Sequence, residues 1–433
     1  MTKWYDYIMF FKLLFSLIIK KEELKMKNLA GKLLTGLLVL GLILGAIGCA
    51  KAIPTPTPTT QVQYIKMGSS IPLTGPGAYL GVPVQKTVNL VIDQFNDAGG
   101  ITIGGMKYLI NMIWYDDGYD PVQGRANVEK LVTEDKVQYL VGLFGTTLGS
   151  SEQIAIDNKV LVTTTSTGGT EVISPEKQYV FRPYTGATVG AYSIMKWIIE
   201  NYGVKRFAVL QLEVESAIEI TEFYKKVCSD LGVETDVIYY PITTVDFSPM
   251  LTKLLSWHPD LLFVGPDALK EARELGYTGI ATGMLTTTNV GITVTTAGVQ
   301  GAEGYLMAQN LDWTATPGAR AWHDAYVAKY GTYDDESLTY VGLMEAIIQG
   351  IQKANSVDPT AVMLALNQMG EKNEPIHLPI GDAYWAGSLR YGGLNHQLVT
   401  PIDMMDIHNG ESRLLAVLPP PSNAELVPYG NDD

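Results

Sequence analysis

The sequence is poor in cysteine and histidine, with two cysteines and five histidines among 433 residues. Two cysteines cannot build the disulfide framework of a small secreted domain. The histidines are scattered, and no two of them have metal-ligand spacing on one helix, so we expect no metal site. The P-loop and the G-x-S-x-G motif are also missing. We therefore expect a protein that is not an enzyme and that needs no cofactor.

Positive charge is scarce as well, since 31 Lys and Arg stand against 45 Asp and Glu, which gives a net charge of -14. An acidic surface without a basic patch repels nucleic acid, so we expect no nucleic-acid partner. The glycines at 75, 77 and 81 read G-x-G-x-x-x-G, one residue longer than the dinucleotide fingerprint, and Pro83 follows closely. This spacing argues against a dinucleotide site.

The uncharged apolar run near the amino terminus covers residues 33–47, which is 15 residues. A membrane-spanning helix needs roughly 20. The run follows two lysines and ends with Ala46-Ile47, and Gly48 and Cys49 come directly after it, the layout of a secretory signal peptide. Small residues directly before a cysteine resemble the bacterial lipoprotein signal, in which that cysteine receives lipid. We predict a signal peptide over 26–48 and lipidation of Cys49; the alternatives are a plain secretory signal and a retained anchor.

Residues 1–25 fit a signal peptide poorly, because their apolar stretch is interrupted by Lys12 and leads into a charged KKEELK run. Either the natural start is Met26 or the signal region is unusually long. Residues 49–61 contain proline and threonine in alternation at 54–59, a composition that cannot build a core and that favours extended polyproline conformations. A dozen such residues reach about 35–40 Å. We predict a tether that holds a folded domain clear of a membrane.

From residue 62 onward, strand-like and helix-like segments alternate, and the pattern pauses and restarts near residue 185. One helix opens with Asp120 and Pro121, a capping residue followed by proline. Such alternation indicates mostly parallel sheets with helices on both faces, so the sequence predicts an α/β protein with two such units. Three helices and a strand-like end that includes 388–393 follow. We expect Cys228 to be buried on an amphipathic helix.

Residues with hydroxyl groups follow two successive predicted strands. Thr146 and Thr147 follow a buried strand and open a helix, and Ser166, Thr167 and Gly168 follow the next strand. Ligands of open parallel sheets bind at the carboxyl ends of the strands. Hydroxyls and the free N–H groups of a helix start suit a carboxylate. These loops are our candidate site, although capping and turn chemistry alone explain either loop taken singly.

Taken in order, several segments resemble the leucine/isoleucine/valine-binding protein family of ABC-importer receptors. The matching segments are IPLTGPGAYLG, NDAGGI, YDDGYDPVQGRANVEKLV, YLVGLFG, YVFRPYTGA, VDFSPMLTKL, KEARELGY and GAEGYLMA. They cover about residues 64–410 in the family's order and spacing. The resemblance implies the type I periplasmic binding protein fold, in which two doubly wound α/β lobes are joined by a three-strand hinge and close on a ligand.

The resemblance also implies domain boundaries. Lobe one would be 62–184 plus 309–400, and lobe two would be 185–308 plus 401–419. Residues 420–433 would form a loose tail.

In the family's amino-acid receptors, two loops of lobe one hold the ligand carboxylate. The resemblance assigns this role to Thr146, Thr147, Ser166 and Thr167, with Gly168 standing where a threonine is usual. It also implies a ligand contact at Leu80.

Lobe two departs from the family pattern. Ser216 stands where an aromatic residue is usual, and Thr287 lies in the stretch where the acid that grips the ligand ammonium is expected. The segment that contains Asp267 is shortened, and Asp267 is our candidate for a replacement acid. Burying an ammonium without a counter-charge costs several kcal/mol as an order of magnitude. We therefore expect an amino-acid-like ligand, an organic acid or an amide.

Together these features predict an extracytoplasmic solute-binding lipoprotein on the cell membrane. We expect a monomer whose partners are a small-molecule ligand, an ABC-importer permease and the membrane that holds its lipid anchor. The alternative is a membrane-anchored sensor ectodomain of the same fold.

Replacing Cys49 with serine should abolish lipid attachment, because serine offers no thiol to the lipid, and should leave an unprocessed or soluble protein. Mass spectrometry of the mature chain measures this, with a lipidated terminus at Cys49 expected for the unaltered sequence. Cys228→Ser is the control and should be processed normally. A mature terminus at another residue would show that the anchor is wrongly assigned.

Overall fold

A computed structural model of the protein describes residues 62–166, 172–183, 189–213, 215–241, 243–283, 290–309, 313–334, 336–371 and 374–426. Within these ranges no helix is both long and apolar enough to cross a membrane. The same ranges contain no group of three or more His, Cys, Asp or Glu that could hold a metal ion.

The amino-terminal part alternates strands and helices. Its elements are β1 (Val62–Ile71), α1 (Ala78–Asp97), β2 (Ile101–Ile103), β3 (Met106–Asp116), α2 (Pro121–Thr133), β4 (Tyr139–Leu143), α3 (Gly145–Asp157), β5 (Leu161–Thr164) and β6 (Val180–Phe181). The strands form one sheet in the order β2-β3-β1-β4-β5-β6, in which β2 pairs antiparallel with β3 and the other pairs are parallel.

The central part repeats the alternation and builds a second sheet. Its elements are α4 (Ala191–Tyr202), β7 (Arg206–Leu212), α5 (Glu215–Asp230), β8 (Glu234–Tyr240), α6 (Ser248–Ser256), β9 (Leu261–Phe263), α7 (Pro266–Glu274), β10 (Ile280–Thr282), α8 (Val290–Ala302) and β11 (Leu306–Gln309). These five strands lie parallel to one another in the order β11-β10-β9-β7-β8.

In the described residues that follow, four helices and three short strands lead back to the first sheet. These are α9 (Pro317–Tyr330), α10 (Ser337–Tyr340), α11 (Gly342–Ala354), α12 (Pro359–Glu371), β12 (Ile376–Leu378), β13 (Gly381–Ala386) and β14 (Gln397–Val399). Strand β14 continues the first sheet, because Gln397 pairs in parallel with Arg182 just beyond β6. We call the first sheet, the helices packed on it and β12–β14 lobe one.

The last two strands, β15 (Ile402–His408) and β16 (Glu411–Leu418), add antiparallel to the edge of the second sheet beside β11. A final short helix, α13 (Asn423–Leu426), follows them. We call the second sheet and its helices lobe two. Among the described elements, successive strands change sheet three times along the chain, after β6, β11 and β14. The predicted fold class, two α/β lobes with mostly parallel sheets, is confirmed.

Both faces of each main sheet are covered by buried apolar clusters. Successive residues of a strand point to opposite faces of the sheet, so they enter different clusters. In β7, Phe207 and Val209 pack into one buried cluster, and Ala208 and Leu210 pack into another on the opposite face. Parallel sheets of this kind need helices on both faces. Cys228 of α5 lies fully buried in the first of these clusters, as its helical pattern predicted.

The predicted start of α2 is also confirmed. The Asp120 Oδ1 atom accepts hydrogen bonds from the backbone N–H groups of Val122 at 2.7 Å and Gln123 at 3.1 Å, and Pro121 occupies the first turn. These bonds satisfy two of the N–H groups that every helix start leaves without an intrahelical partner.

Two expectations for the end of the chain were wrong. Residues 388–393 form turns rather than a strand, because Gly392 and Gly393 adopt positive φ angles of 60° and 98° that interrupt an extended conformation. The tail is not loose throughout, since α13 is helical and Leu426 is only 1% exposed.

Candidate ligand site at the carboxyl edge of lobe one

The two candidate loops lie side by side at the carboxyl ends of β4 and β5. The hydroxyl of Thr164 and the backbone N–H of Thr165 both donate to the Leu143 carbonyl, at 2.6 Å and 3.1 Å. A Cβ atom added at Gly145 would lie 3.0 Å from the Ser166 Oγ atom, so the loops are in van der Waals contact. The structure therefore brings Ser166, which is 8% exposed, next to the first residue of α3.

Two threonine hydroxyls at this edge are buried and lack a hydrogen-bond partner within the described part of the chain. They belong to Thr146, in the first turn of α3, and to Thr165, just after β5. Leaving a buried hydroxyl unsatisfied costs about 1–3 kcal/mol. Two such groups in adjoining loops make this edge our candidate for binding an external hydrogen-bonding group. Sequence reasoning missed Thr165, although it continues the same run of hydroxyl residues.

Thr147 is arranged differently from Thr146. Its side chain is fully buried, and its hydroxyl donates to the Asp117 Oδ2 atom at 2.7 Å. Gly124 of α2 lets α3 approach closely, since a Cβ there would lie 2.5 Å from the Thr147 Oγ1 atom. The Thr147 hydroxyl is therefore engaged within lobe one, and in this structure Thr147 can offer a ligand only its backbone N–H.

The N-terminus of α3 points its backbone N–H groups toward the same edge. The residue before the helix, Phe144, supplies no side-chain cap, and the first turn contains no acidic residue. The first intrahelical hydrogen bond runs from the N–H of Leu148 to the Phe144 carbonyl, at 2.8 Å. The preceding N–H groups have no intrahelical acceptor, and with the helix dipole they favour an anion.

Aromatic side chains flank this helix terminus. The Tyr119 and Phe144 rings meet edge to face with centroids 6.4 Å apart, although β3 and β4 are separated by β1. The Tyr119 side chain therefore reaches across the end of β1. Tyr119 is 44% exposed and Tyr79 is 74% exposed. Desolvation, followed by the nearby Tyr79 and Asp117, raises the pKa of Tyr119. The sequence contained no signal for this cluster.

The loops after β1 and β3 are tied together by Asp116. Its Oδ1 atom accepts from the backbone N–H groups of Leu73 at 2.8 Å and Gly118 at 3.0 Å, and its other oxygen accepts from the Thr74 hydroxyl. Desolvation acts to raise the pKa of Asp116, but these hydrogen bonds outweigh it and hold the pKa below its ordinary value. Leu80 is half-buried and packs against the lobe-one core.

The candidate residues of lobe two are spread more widely. Asp267 is exposed in the first turn of α7, directly after β9, and its charge adds to desolvation in raising the pKa of Tyr240. Ser216 lies in the first turn of α5, after β7, and its side chain is outside the description. The lobe-two candidate Thr287 lies outside the described residues, as do the lobe-one candidates Thr167 and Gly168.

A separate groove of about 1070 Å³ lies at the opposite, amino ends of β10 and β11. Several of its charged side chains are engaged: Arg273 donates to three backbone carbonyls, Arg413 pairs with Asp406, and Glu303 pairs with His408. It has neither the orphaned hydroxyls nor the open helix terminus of the lobe-one edge, so we do not take it as the ligand site.

Comparison with known proteins identifies relatives of this chain. The family model described as periplasmic binding protein matches residues 64–411. A curated protein of Pseudomonas aeruginosa, the leucine-, isoleucine-, valine-, threonine-, and alanine-binding protein, is 28% identical over 326 residues. These are 70% of this chain and 82% of that protein.

Solved structures agree on the fold. The branched-chain amino acid transporter substrate binding protein LivJ from Streptococcus pneumoniae, in complex with isoleucine, gives a TM-score of 0.64 at 18% identity, over 83% of this chain and 100% of that chain. An ABC transporter solute binding protein from R. palustris, in complex with benzoate, gives 0.65 at 17% identity, over 84% and 99%.

The different environments of the two threonines predict different effects on stability. Thr147→Val should lower the free energy of unfolding by about 1–3 kcal/mol, because it leaves the buried Asp117 carboxylate short of one donor. Thr146→Val should change it little, because the lost hydroxyl has no partner in the described structure. Urea unfolding of the ligand-free protein measures both. Equal losses in the two variants would contradict this assignment.

Proposed function

This chain belongs to the periplasmic binding protein family, and we propose on that basis that it is the extracytoplasmic solute-binding component of an ABC importer. The family consists of solute-binding proteins rather than enzymes. We further propose that the ligand carries a carboxylate or a comparable acceptor group, held at the carboxyl edge of lobe one.

One observation carries the ligand assignment. The buried hydroxyls of Thr146 and Thr165 have no acceptor in the described structure and adjoin the open N-terminus of α3. A carboxylate supplies two oxygens, which can accept hydrogen bonds from both hydroxyls and from helix N–H groups. The acidity of the whole chain does not oppose this, because nearby Asp116 and Asp117 are each compensated by several hydrogen bonds.

The rest of the ligand is less constrained than its acidic group. The P. aeruginosa relative is named for aliphatic amino acids and threonine, the S. pneumoniae structure holds isoleucine, and the R. palustris structure holds benzoate. These ligands share a carboxylate but differ in whether they carry an ammonium. Tyr79 and Tyr119 offer aromatic surface beside the site. We propose an amino-acid-like compound, an organic acid or an amide as the ligand.

The anchoring and movement of the protein are part of the same proposal. A lipid on Cys49 and a Pro-Thr tether over 49–61 would hold the receptor at the extracytoplasmic face of the cell membrane. The receptor would work there as a monomer beside its permease. Lobe one (62–184 plus 309–400) and lobe two (185–308 plus 401–419) would move as bodies about the three crossovers and close on the ligand.

Replacing Thr146 with valine should weaken the binding of the best carboxylate ligand about tenfold or more. The physical reason is that a hydrogen bond to a charged group is worth about 1.5–3 kcal/mol. A thermal-shift screen of amino acids, organic acids and amides first identifies that ligand, and calorimetric titration then compares the variants. Thr133→Val, an exposed change at the end of α2, is the control and should bind normally. Unchanged affinity in Thr146→Val would show that the ligand binds at another site.

Leucine, isoleucine and valine should bind more weakly than the true ligand. The reason is the ammonium, for which Asp267 is the one acid that we can assign to the candidate residues of lobe two, and its side chain is exposed to solvent. Calorimetric titration with the three amino acids and with the screened acids and amides measures the difference. Leucine binding at micromolar affinity or tighter would contradict this expectation, and Asp267→Asn would then test whether that acid holds the ammonium.

A further inference from the structure

The residues after β16 leave lobe two and contact both lobes. In α13, the Asn423 Oδ1 atom accepts a hydrogen bond from the backbone N–H of Gly387, directly after β13 of lobe one, at 2.6 Å. Two residues later, the Glu425 Oε1 atom accepts from the Ser193 hydroxyl of α4, in lobe two, at 3.2 Å. This single helical turn is thus hydrogen-bonded to lobe one through Asn423 and to lobe two through Glu425.

An apolar contact reinforces these two hydrogen bonds. Leu426 is 1% exposed and packs in a small buried cluster with Val189, Ala386 and Val399. Val189 precedes α4 of lobe two, whereas Ala386 and Val399 end strands β13 and β14 of lobe one. The cluster therefore lies where two of the three crossovers pass, and Leu426 fills space between parts of both lobes.

Hydrogen bonds within residues 422–426 stabilise the conformation of this turn. Ser422 and Glu425 form a capping box: the backbone N–H of Ser422 donates to the Glu425 Oε2 atom at 2.7 Å, and the N–H of Glu425 donates back to the Ser422 hydroxyl at 3.4 Å. Three prolines at 419–421 precede it and restrict the backbone that leads in from β16. The Glu425 side chain thus caps the turn with one oxygen and reaches lobe two with the other.

We propose that residues 422–426 act as a strap across the hinge, which limits how far the two lobes separate when no ligand is bound. Rotation of the lobes away from each other changes the distance between Gly387 and Ser193, which the strap joins. Opening must therefore break a contact of the strap or be restrained by it. The proposal rests on the hinge closure proposed above, and it adds that the carboxy-terminal segment sets the ligand-free range of that movement.

The strap also bears on ligand affinity. A receptor whose binding-competent conformation is populated only in part binds more weakly, in proportion to that population. By keeping the lobes closer together in the free protein, the strap raises the competent fraction.

The test measures the distance between the lobes without any ligand. Spin labels are placed at Val122→Cys and Val245→Cys, which are 76% and 90% exposed and lie on the carboxyl sides of the two sheets. Cys228 stays unlabelled because it is fully buried and burial raises the pKa of its thiol to about 12. Cys49→Ser removes the other thiol from the mature chain.

Truncation after residue 421 removes the strap, and truncation after residue 426 is the matched control that keeps it. We expect the first to broaden the distance distribution and shift it to longer distances, and the second to match the full chain. Identical distributions in all three proteins overturn the proposal.

A second variant covers the case in which the shorter truncation does not fold. Asn423→Ala combined with Leu426→Ser keeps the full chain and removes the lobe-one hydrogen bond and the shared apolar contact. The same shift to longer distances is expected, and an unchanged distribution overturns the strap. Because no ligand is used, this result is independent of whether a carboxylate binds at Thr146.

Discussion

The arrangement of the candidate site depends on one buried carboxylate. Asp117 is 2% exposed, and it accepts hydrogen bonds from the Ser70 hydroxyl at 3.2 Å, the Thr147 hydroxyl at 2.7 Å and the Tyr119 backbone N–H at 2.9 Å. A buried charge is tolerated only when such donors surround it. The three donors come from the end of β1, the start of α3 and the turn after β3. Their hydrogen bonds to Asp117 therefore also fix the positions of these parts of lobe one relative to one another.

Because of this constraint, the hydroxyl groups of two neighbouring threonines have different hydrogen-bonding states. The Thr147 hydroxyl is committed to Asp117, whereas the buried hydroxyl of Thr146, in the same turn of α3, has no partner in the described structure. The contact between Gly145 and Ser166 then brings the β5 loop, with the second orphaned hydroxyl at Thr165, to the same place. The arrangement that we propose for binding an acceptor group therefore depends on a hydrogen bond within lobe one, from Thr147 to Asp117.

The two lobes are connected by more than the three crossovers. The turn of α13 contacts Gly387 on one side and Ser193 on the other. In a receptor that closes on its ligand, the energy for closure comes from contacts made only in the closed state, and any restraint on the open state shifts the same equilibrium. In the proposed function, the site in lobe one and the contacts at the hinge are therefore two separate means of adjusting one binding constant.

Sequence reasoning alone predicted the α/β class, the alternation of elements and local features such as the Asp120-Pro121 helix start, because hydrophobic periodicity and capping depend on residues close in the chain. It also indicated which two loops carry the hydroxyls. Which of Thr146 and Thr147 would be free could not be predicted, because that depends on a hydrogen bond to Asp117, 30 residues away. The position of Tyr119 beside Phe144 depends on long-range packing that sequence reasoning does not reach. The same holds for the docking of the tail: the Ser422–Glu425 capping box could be seen in the sequence, but Leu426 is buried only where segments from both lobes meet.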